Sequence, residues 1–255
     1  NVRVTFTSKP ETDTDIATLE AANRTEESGK FLRYDKVRIV NNAPLFDHTN
    51  GIANGASIRL SGNANEKTGL VKTLAVMPGD VVNMEVYAKY LDTNKANWAQ
   101  ALTTLVTAIS TGAASAVTDG AQYTTNSTNA FPFTGLNNTT NSAGTGPKAY
   151  LNYIMFDKDF NPILPSVDPS QTFYVRMTTA AKENGQAMPN GVPHELLAAT
   201  VTVKQPGYMY IYLSNEETKP LEVYFDDFKV THTKSPVIAS QDYYPFGLTF
   251  NAYTR

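Results

Sequence analysis

The sequence predicts an all-β protein, an antiparallel sandwich or barrel, and three observations predict it. Short runs of Val, Ile, Tyr, Phe and Thr alternate with period two, as strands with one buried face do. Gly, Pro, Asn and Asp punctuate those runs along most of the chain. Only one segment clearly leaves that period for a helical one.

The strands are read in order. Ser57 to Ser61 alternates, and Leu70 to Met77 follows as a second strand. Pro78-Gly79-Asp80 is a turn, because Pro presets φ and Gly tolerates a positive one. Val81 to Leu91 puts Val82, Met84, Val86 and Ala88 on one face. Tyr150 to Phe156, Phe173 to Met177, Leu197 to Val203, Tyr208 to Leu213 and Leu221 to Val230 complete the set. Between Lys95 and Ser110 the apolar residues Trp98, Leu102, Leu105, Val106 and Ile109 fall on one side of a helix. The tract from Thr111 to Gly146 is rich in Thr, Asn, Ala, Gly and Ser and too poor in apolar residues to pack alone. Together these make an insertion over about 95–147, inside a sandwich spanning 1–234. The acidic stretch from Glu11 to Glu27 is read as holding a short helix.

With 255 residues the chain can bury a full core, as one large β domain or two small ones. A net charge of −3, with the basic residues scattered, gives no electrostatic reason to bind nucleic acid. Without cysteine, neither a disulfide framework nor a cysteine-ligated zinc site can form. No apolar run approaches the roughly 20 residues that span a bilayer. The chain starts at Asn1-Val-Arg-Val, without Met or a signal peptide. That is expected of a piece of a longer exported polypeptide whose export signal lies outside it.

Two parts of the sequence carry a resemblance. Val223-Tyr-Phe-Asp-Asp-Phe-Lys-Val-Thr-His-Thr-Lys-Ser-Pro-Val-Ile, followed by Asp242-Tyr-Tyr-Pro-Phe-Gly-Leu-Thr-Phe, closely resembles the stretch before the repeat-associated core of large RHS (YD-repeat) proteins of Bacteroidota. Val76-Met-Pro-Gly-Asp-Val-Val, Ala149-Tyr-Leu-Asn-Tyr-Ile-Met-Phe-Asp and His194-Glu-Leu-Leu are similar to the same family's upstream region. The resemblance implies a secreted or cell-surface protein, with residues 235–255 as a tail leading into an RHS core. Other segments of the same polypeptide are then the expected partners. RHS proteins cut themselves through an aspartate motif downstream of the core. This chain stops at Arg255, before it, so no protease activity is expected.

The second resemblance is architectural. A Glu near the first strand, Gly55-Ala-Ser-Ile-Arg-Leu, the Pro-Gly-Asp turn and a closing Tyr224-Phe-Asp-Asp-Phe-Lys-Val strand are similar to jelly-roll carbohydrate-binding modules. It implies an antiparallel jelly-roll-like β-sandwich with one helical insertion, and, as alternatives, a glycan partner and a structural Ca²⁺. Alternation places Asp226 with Tyr224, Phe228 and Val230, opposite Val223, Phe225, Asp227 and Lys229. A carboxylate at a core margin needs a partner, and Ca²⁺ held by Asp226 and Glu20 would be one. The competing expectation is that Asp226 accepts backbone N–H bonds or pairs with Arg.

The three histidines, His48, His194 and His232, lie in no metal spacing and are read as structural or surface residues. In Phe46-Asp47-His48 the two chemical residues are sequence neighbours, which a strand would point to opposite faces. Nucleophile-elbow, phosphate-loop and dinucleotide motifs are missing, so no enzyme activity is expected and a hydrolase is the weakest alternative. Tyr208, Tyr210 and Tyr212 form a ladder opposite Met209, Ile211 and Leu213, either an exposed adhesive face or one packed under the insertion. An exposed shelf would favour a sugar ligand. The expected function is therefore a non-catalytic scaffold or binding module.

Overall fold

The computed structural model describes residues 2–7, 9–41, 48, 55–62, 66–91, 146–183, 192–217 and 221–254. The helix read over 95–110, with Trp98, and nearly all of the tract that follows lie outside the described residues.

The chain forms an antiparallel β-sandwich with a small third sheet beside it. The strands are β1 (Val2–Thr7), β2 (Thr12–Ala17), β3 (Arg38–Asn41), β4 (Ala56–Ser61), β5 (Thr68–Val76), β6 (Val81–Leu91) and β7 (Ala149–Asp157). They continue as β8 (Phe173–Arg176), β9 (Glu195–Thr202), β10 (Gly207–Asn215), β11 (Glu222–Thr233), β12 (Val237–Tyr243) and β13 (Thr249–Thr254). Helix α1 covers Arg24–Lys30. One sheet runs β3-β4-β11-β6-β9, with β2 pairing the second half of β11; the facing sheet runs β5-β10-β7-β8.

Alternation builds the core between them. Val82, Met84, Val86 and Ala88 of β6 all point inward, as the sequence predicts, and meet Met209, Ile211 and Leu213 of β10 in one apolar cluster. Burying each of the Val, Leu, Ile and Met side chains among them contributes about 1.5–3 kcal/mol. Between β5 and β6, Pro78 and Gly79 (φ 83°) make the predicted turn, closed by Asp80 N–H donating to the Met77 carbonyl at 3.0 Å.

The Asp80 side chain does more than close this turn. Its Oδ2 accepts from Met77 N–H at 3.0 Å and lies 2.8 Å from His232 Nε2, while Oδ1 accepts from Ser235 N–H at 2.6 Å. Asp80 is fully buried, and the network ties the β5–β6 turn to the place where β11 hands over to β12.

The acidic N-terminal stretch holds a strand as well as the beginning of a helix. Thr12–Ala17 is β2, because cross-strand Thr pairs and partial exposure suit its Thr-Asp alternation against β11. Helix α1 follows and presents Glu27 inward. That carboxylate accepts from the Thr18 N–H and hydroxyl, both at 2.7 Å, from Leu19 N–H at 3.0 Å and from the Tyr34 hydroxyl at 2.7 Å. These bonds hold Leu19 in the left-handed region (φ 66°), which a branched side chain adopts only when its surroundings enforce it.

Residues 235–254 are paired into a sheet of their own. β12 and β13 form a hairpin, and β1 adds to the other edge of β12, giving a three-stranded sheet in the order β1-β12-β13. Residues 2–7, at the front of the stretch read as sandwich, therefore belong to the tail's sheet. Arg3 clamps the pairing by donating to both oxygens of Asp242, at 2.6 and 2.7 Å. Every residue of β1 is exposed.

The tyrosine ladder is not an exposed shelf. Tyr212 is only 4% exposed, and Tyr208 and Tyr210 are half-buried. At the end of this row Asn152 Nδ2 donates to Ser214 Oγ at 3.0 Å, and Ser214 Oγ donates to Glu216 Oε1 at 3.3 Å. Burial pushes the Glu216 carboxyl above its ordinary range, offset in part by the Ser214 hydroxyl and the charges of Lys67 and Lys148. A carboxyl whose folded pKa is raised costs stability once pH rises through the ordinary carboxylate range, and costs nothing below it. Glu216→Gln is therefore expected to melt above the wild type at pH 7, with the gap closing near pH 4. A gap independent of pH would contradict this assignment.

Candidate functional site at the β11 bulge

The longest strand changes face halfway along. Against β6, Asp226 pairs with Tyr87 but Lys229 with Glu85, so β11 advances three residues while β6 advances two. The extra residue makes a β-bulge, and Asp227 sits there with φ 48°. On the opposite edge the neighbour changes at the same place, from β4 along Glu222–Phe225 to β2 along Phe228–Thr233.

The bulge overturns the simple alternation. Val223 and Phe225 face the core before it, whereas Phe228 and Val230 face the core after it. Tyr224 and Phe228 thus lie on opposite faces, and Asp226 does not share a face with Phe228 and Val230. An inserted residue shifts every later side chain by one, and nothing local in the sequence announces it.

The acids at the bulge gather residues from distant parts of the chain. Asp226, 2% exposed, accepts from His48 N–H at 2.7 Å through Oδ2 and from Asp227 N–H at 2.8 Å through Oδ1. Asp227 Oδ2 lies 2.8 Å from His48 Nδ1. The His48 ring stacks on Tyr87 with centroids 3.3 Å apart, and His194 meets its edge at 5.7 Å. With 32% of its side chain exposed, His48 opens to solvent, while Asp227 keeps 14%.

Chemically this is an oriented imidazole. A carboxylate at Nδ1 fixes the tautomer with the proton on that nitrogen and leaves the Nε2 lone pair as an acceptor. The sequence missed it because Asp227 is 179 residues from His48, and no local spacing encodes such a pair. Asp47, the sequence neighbour weighed as a partner, lies outside the described residues.

The two residues proposed for calcium are each engaged by backbone. Asp226 accepts as above, and Glu20 Oε1 accepts from Ala56 N–H at 3.1 Å. Among the described residues no group of three or more His, Asp or Glu side chains could hold a metal ion. Asp226→Ala is expected to lower stability by about 2–3 kcal/mol through the donors it strands. Asp227→Ala should cost less, since it leaves the two backbone donors paired. Urea titrations of both variants in EDTA measure these losses, and repeating them in added Ca²⁺ tests for a bound ion, which would show as a loss confined to the calcium buffer.

No protein-family model matches the chain. No curated protein matches it either.

Proposed function

We propose that this chain is a non-catalytic scaffold or binding module of a large secreted or cell-surface RHS-repeat polypeptide, and that the three-stranded sheet is the part that docks. The observation that carries the reading is the surface of that sheet. Val2, Val4 and Phe6 point to one face and are 59%, 38% and 51% exposed, and in the β12–β13 turn Phe246 and Leu248 are 78% and 62% exposed. Among the described residues, β1 and β13 each have one edge with no strand paired to it. An open edge beside exposed apolar side chains is a template for a further strand. The turn belongs to the Tyr243-Tyr-Pro-Phe-Gly-Leu-Thr segment whose likeness to the RHS region prompted the reading.

The partner that fits is another segment of the same polypeptide, offering an extended strand with alternating apolar residues. Titration of the chain with a purified RHS-repeat core polypeptide should show saturable binding. Phe6→Glu combined with Leu248→Glu should weaken it at least about tenfold while leaving the melting temperature unchanged, since both side chains already face water. Failure of the unaltered chain to bind that polypeptide would overturn the reading.

A further inference from the structure

One end of the four-stranded sheet gathers polar side chains that the fold leaves without partners. Tyr150 of β7 pairs with Arg176 of β8 on one side and with Ser214 of β10 on the other. Asn152 and Tyr212, paired two residues along, share their face, opposite to Leu151 and Leu213 in the core. Backbone bonds bring two lysines to the same end. Asn215 N–H donates to the Lys67 carbonyl at 2.8 Å, and Glu216 N–H donates to the Lys148 carbonyl at 2.7 Å.

Burial and bonding do not match in this cluster. Lys67, Tyr150 and Tyr212 are 4%, 7% and 4% exposed. Among the described residues, neither the Lys67 ammonium nor the Tyr150 and Tyr212 hydroxyls have a hydrogen-bond or ion-pair partner. Burial pushes the Lys67 ammonium down and both hydroxyls up, and all three feel the Glu216 carboxyl. Buried polar heads are nearly always bonded, because an unmade bond leaves the loss of water uncompensated. Lys148, Arg176 and Glu216 are half-buried, so the cluster meets water at its rim.

Positive charge is also in surplus here. Lys67, Lys148 and Arg176 stand against Glu217 and a Glu216 that burial holds toward its neutral form. Glu217 is already engaged, its Oε1 accepting from Lys148 N–H at 2.9 Å. Arg176 is fixed at the rim by donating through Nε to the Pro147 carbonyl at 3.1 Å. The unbonded donors lack an acceptor and the cations lack a counter-charge. A small oxyanion supplies both.

We propose that this cluster binds a small oxyanion, a carboxylate or a tetrahedral phosphate-type group, with Lys67 and the two tyrosine hydroxyls donating to it and Lys148 and Arg176 at its rim. The site belongs to the four-stranded sheet and does not rest on the docking role of the three-stranded one.

Calorimetric titration of the full chain with sodium sulfate and with sodium acetate, each against sodium chloride at matched ionic strength, tests it. Saturable binding of one ion per chain is expected; tighter sulfate marks a tetrahedral group, tighter acetate a carboxylate. Lys67→Met should weaken binding at least about tenfold by removing a charge-assisted donor, and Tyr150→Phe should weaken it several-fold. Glu216→Gln should bind at least as tightly, since it removes a competing carboxylate. Lys234→Met, at a lysine in surface ion pairs with Glu11 and Asp13, should change nothing. No saturable binding of either ion overturns the proposal, and so does an equal loss in Lys67→Met and Lys234→Met. If Lys67→Met does not fold, Tyr150→Phe decides, and unchanged affinity there overturns it.

Discussion

Glu183→Ala is expected to destabilise the protein by about 3–5 kcal/mol, the typical cost of breaking a buried ion pair from one side. The Glu183 side chain has no exposed surface, Lys89 keeps 6%, and Lys89 Nζ lies 2.8 Å from Glu183 Oε2. Removing the carboxylate takes the Glu183 partner from an ammonium whose side chain is only 6% exposed. The pair also anchors the end of β6, where Glu183 N–H donates to the Tyr90 carbonyl at 2.9 Å. Replacing both partners with apolar residues of similar volume, Lys89→Met with Glu183→Leu, should recover most of the loss, because the desolvation of two charges disappears with them. Urea denaturation of the wild type and these two variants measures both values. A single-variant loss under about 1 kcal/mol would mean that the pair is solvated and behaves like a surface bridge.

Asp80→Ala should cost nearly as much, about 4 kcal/mol, by taking this acceptor from the buried donors of His232 and Ser235 and the part-buried one of Met77. Its signature differs, because Ser235 begins the link to β12. The variant should become sensitive to protease within residues 235–254 under conditions where the sandwich stays intact. Equal protease resistance of the tail in wild type and variant would show that the three-stranded sheet holds its place without this network.

The strands of the two facing sheets were legible because each carries its own period: β6 and β10 display alternation that the core simply uses. Less legible were β1, β2 and β3. Thr12–Ala17 is polar on nearly every position, and its strand conformation comes from pairing with β11, which lies more than two hundred residues away. The candidate site shows the same boundary. Asp226 could be recognised as a carboxylate in need of partners, and it does accept two backbone N–H bonds. The face it occupies could not be read, since the bulge depends on how β11 matches β6. Likewise, His48 and Asp227 are ordinary residues until the fold sets them 2.8 Å apart.

The pairing of β1 with β12 bears on how the protein carries load. Val2 lies opposite Tyr243, and Thr254 lies opposite Ala239, so β1 and β13 run in the same direction on either side of β12. Tension applied through residues 2 and 254 pulls these strands in opposite directions along their own axes. Both hydrogen-bond ladders are then sheared as a whole, with every rung sharing the force, and none peels open one bond at a time. The sandwich lies between β1 and β12 in sequence and off the line of pull. In a polypeptide stretched across this module, the three-stranded sheet would act as a mechanical fuse, leaving the core of the sandwich unstrained until the sheet gives way.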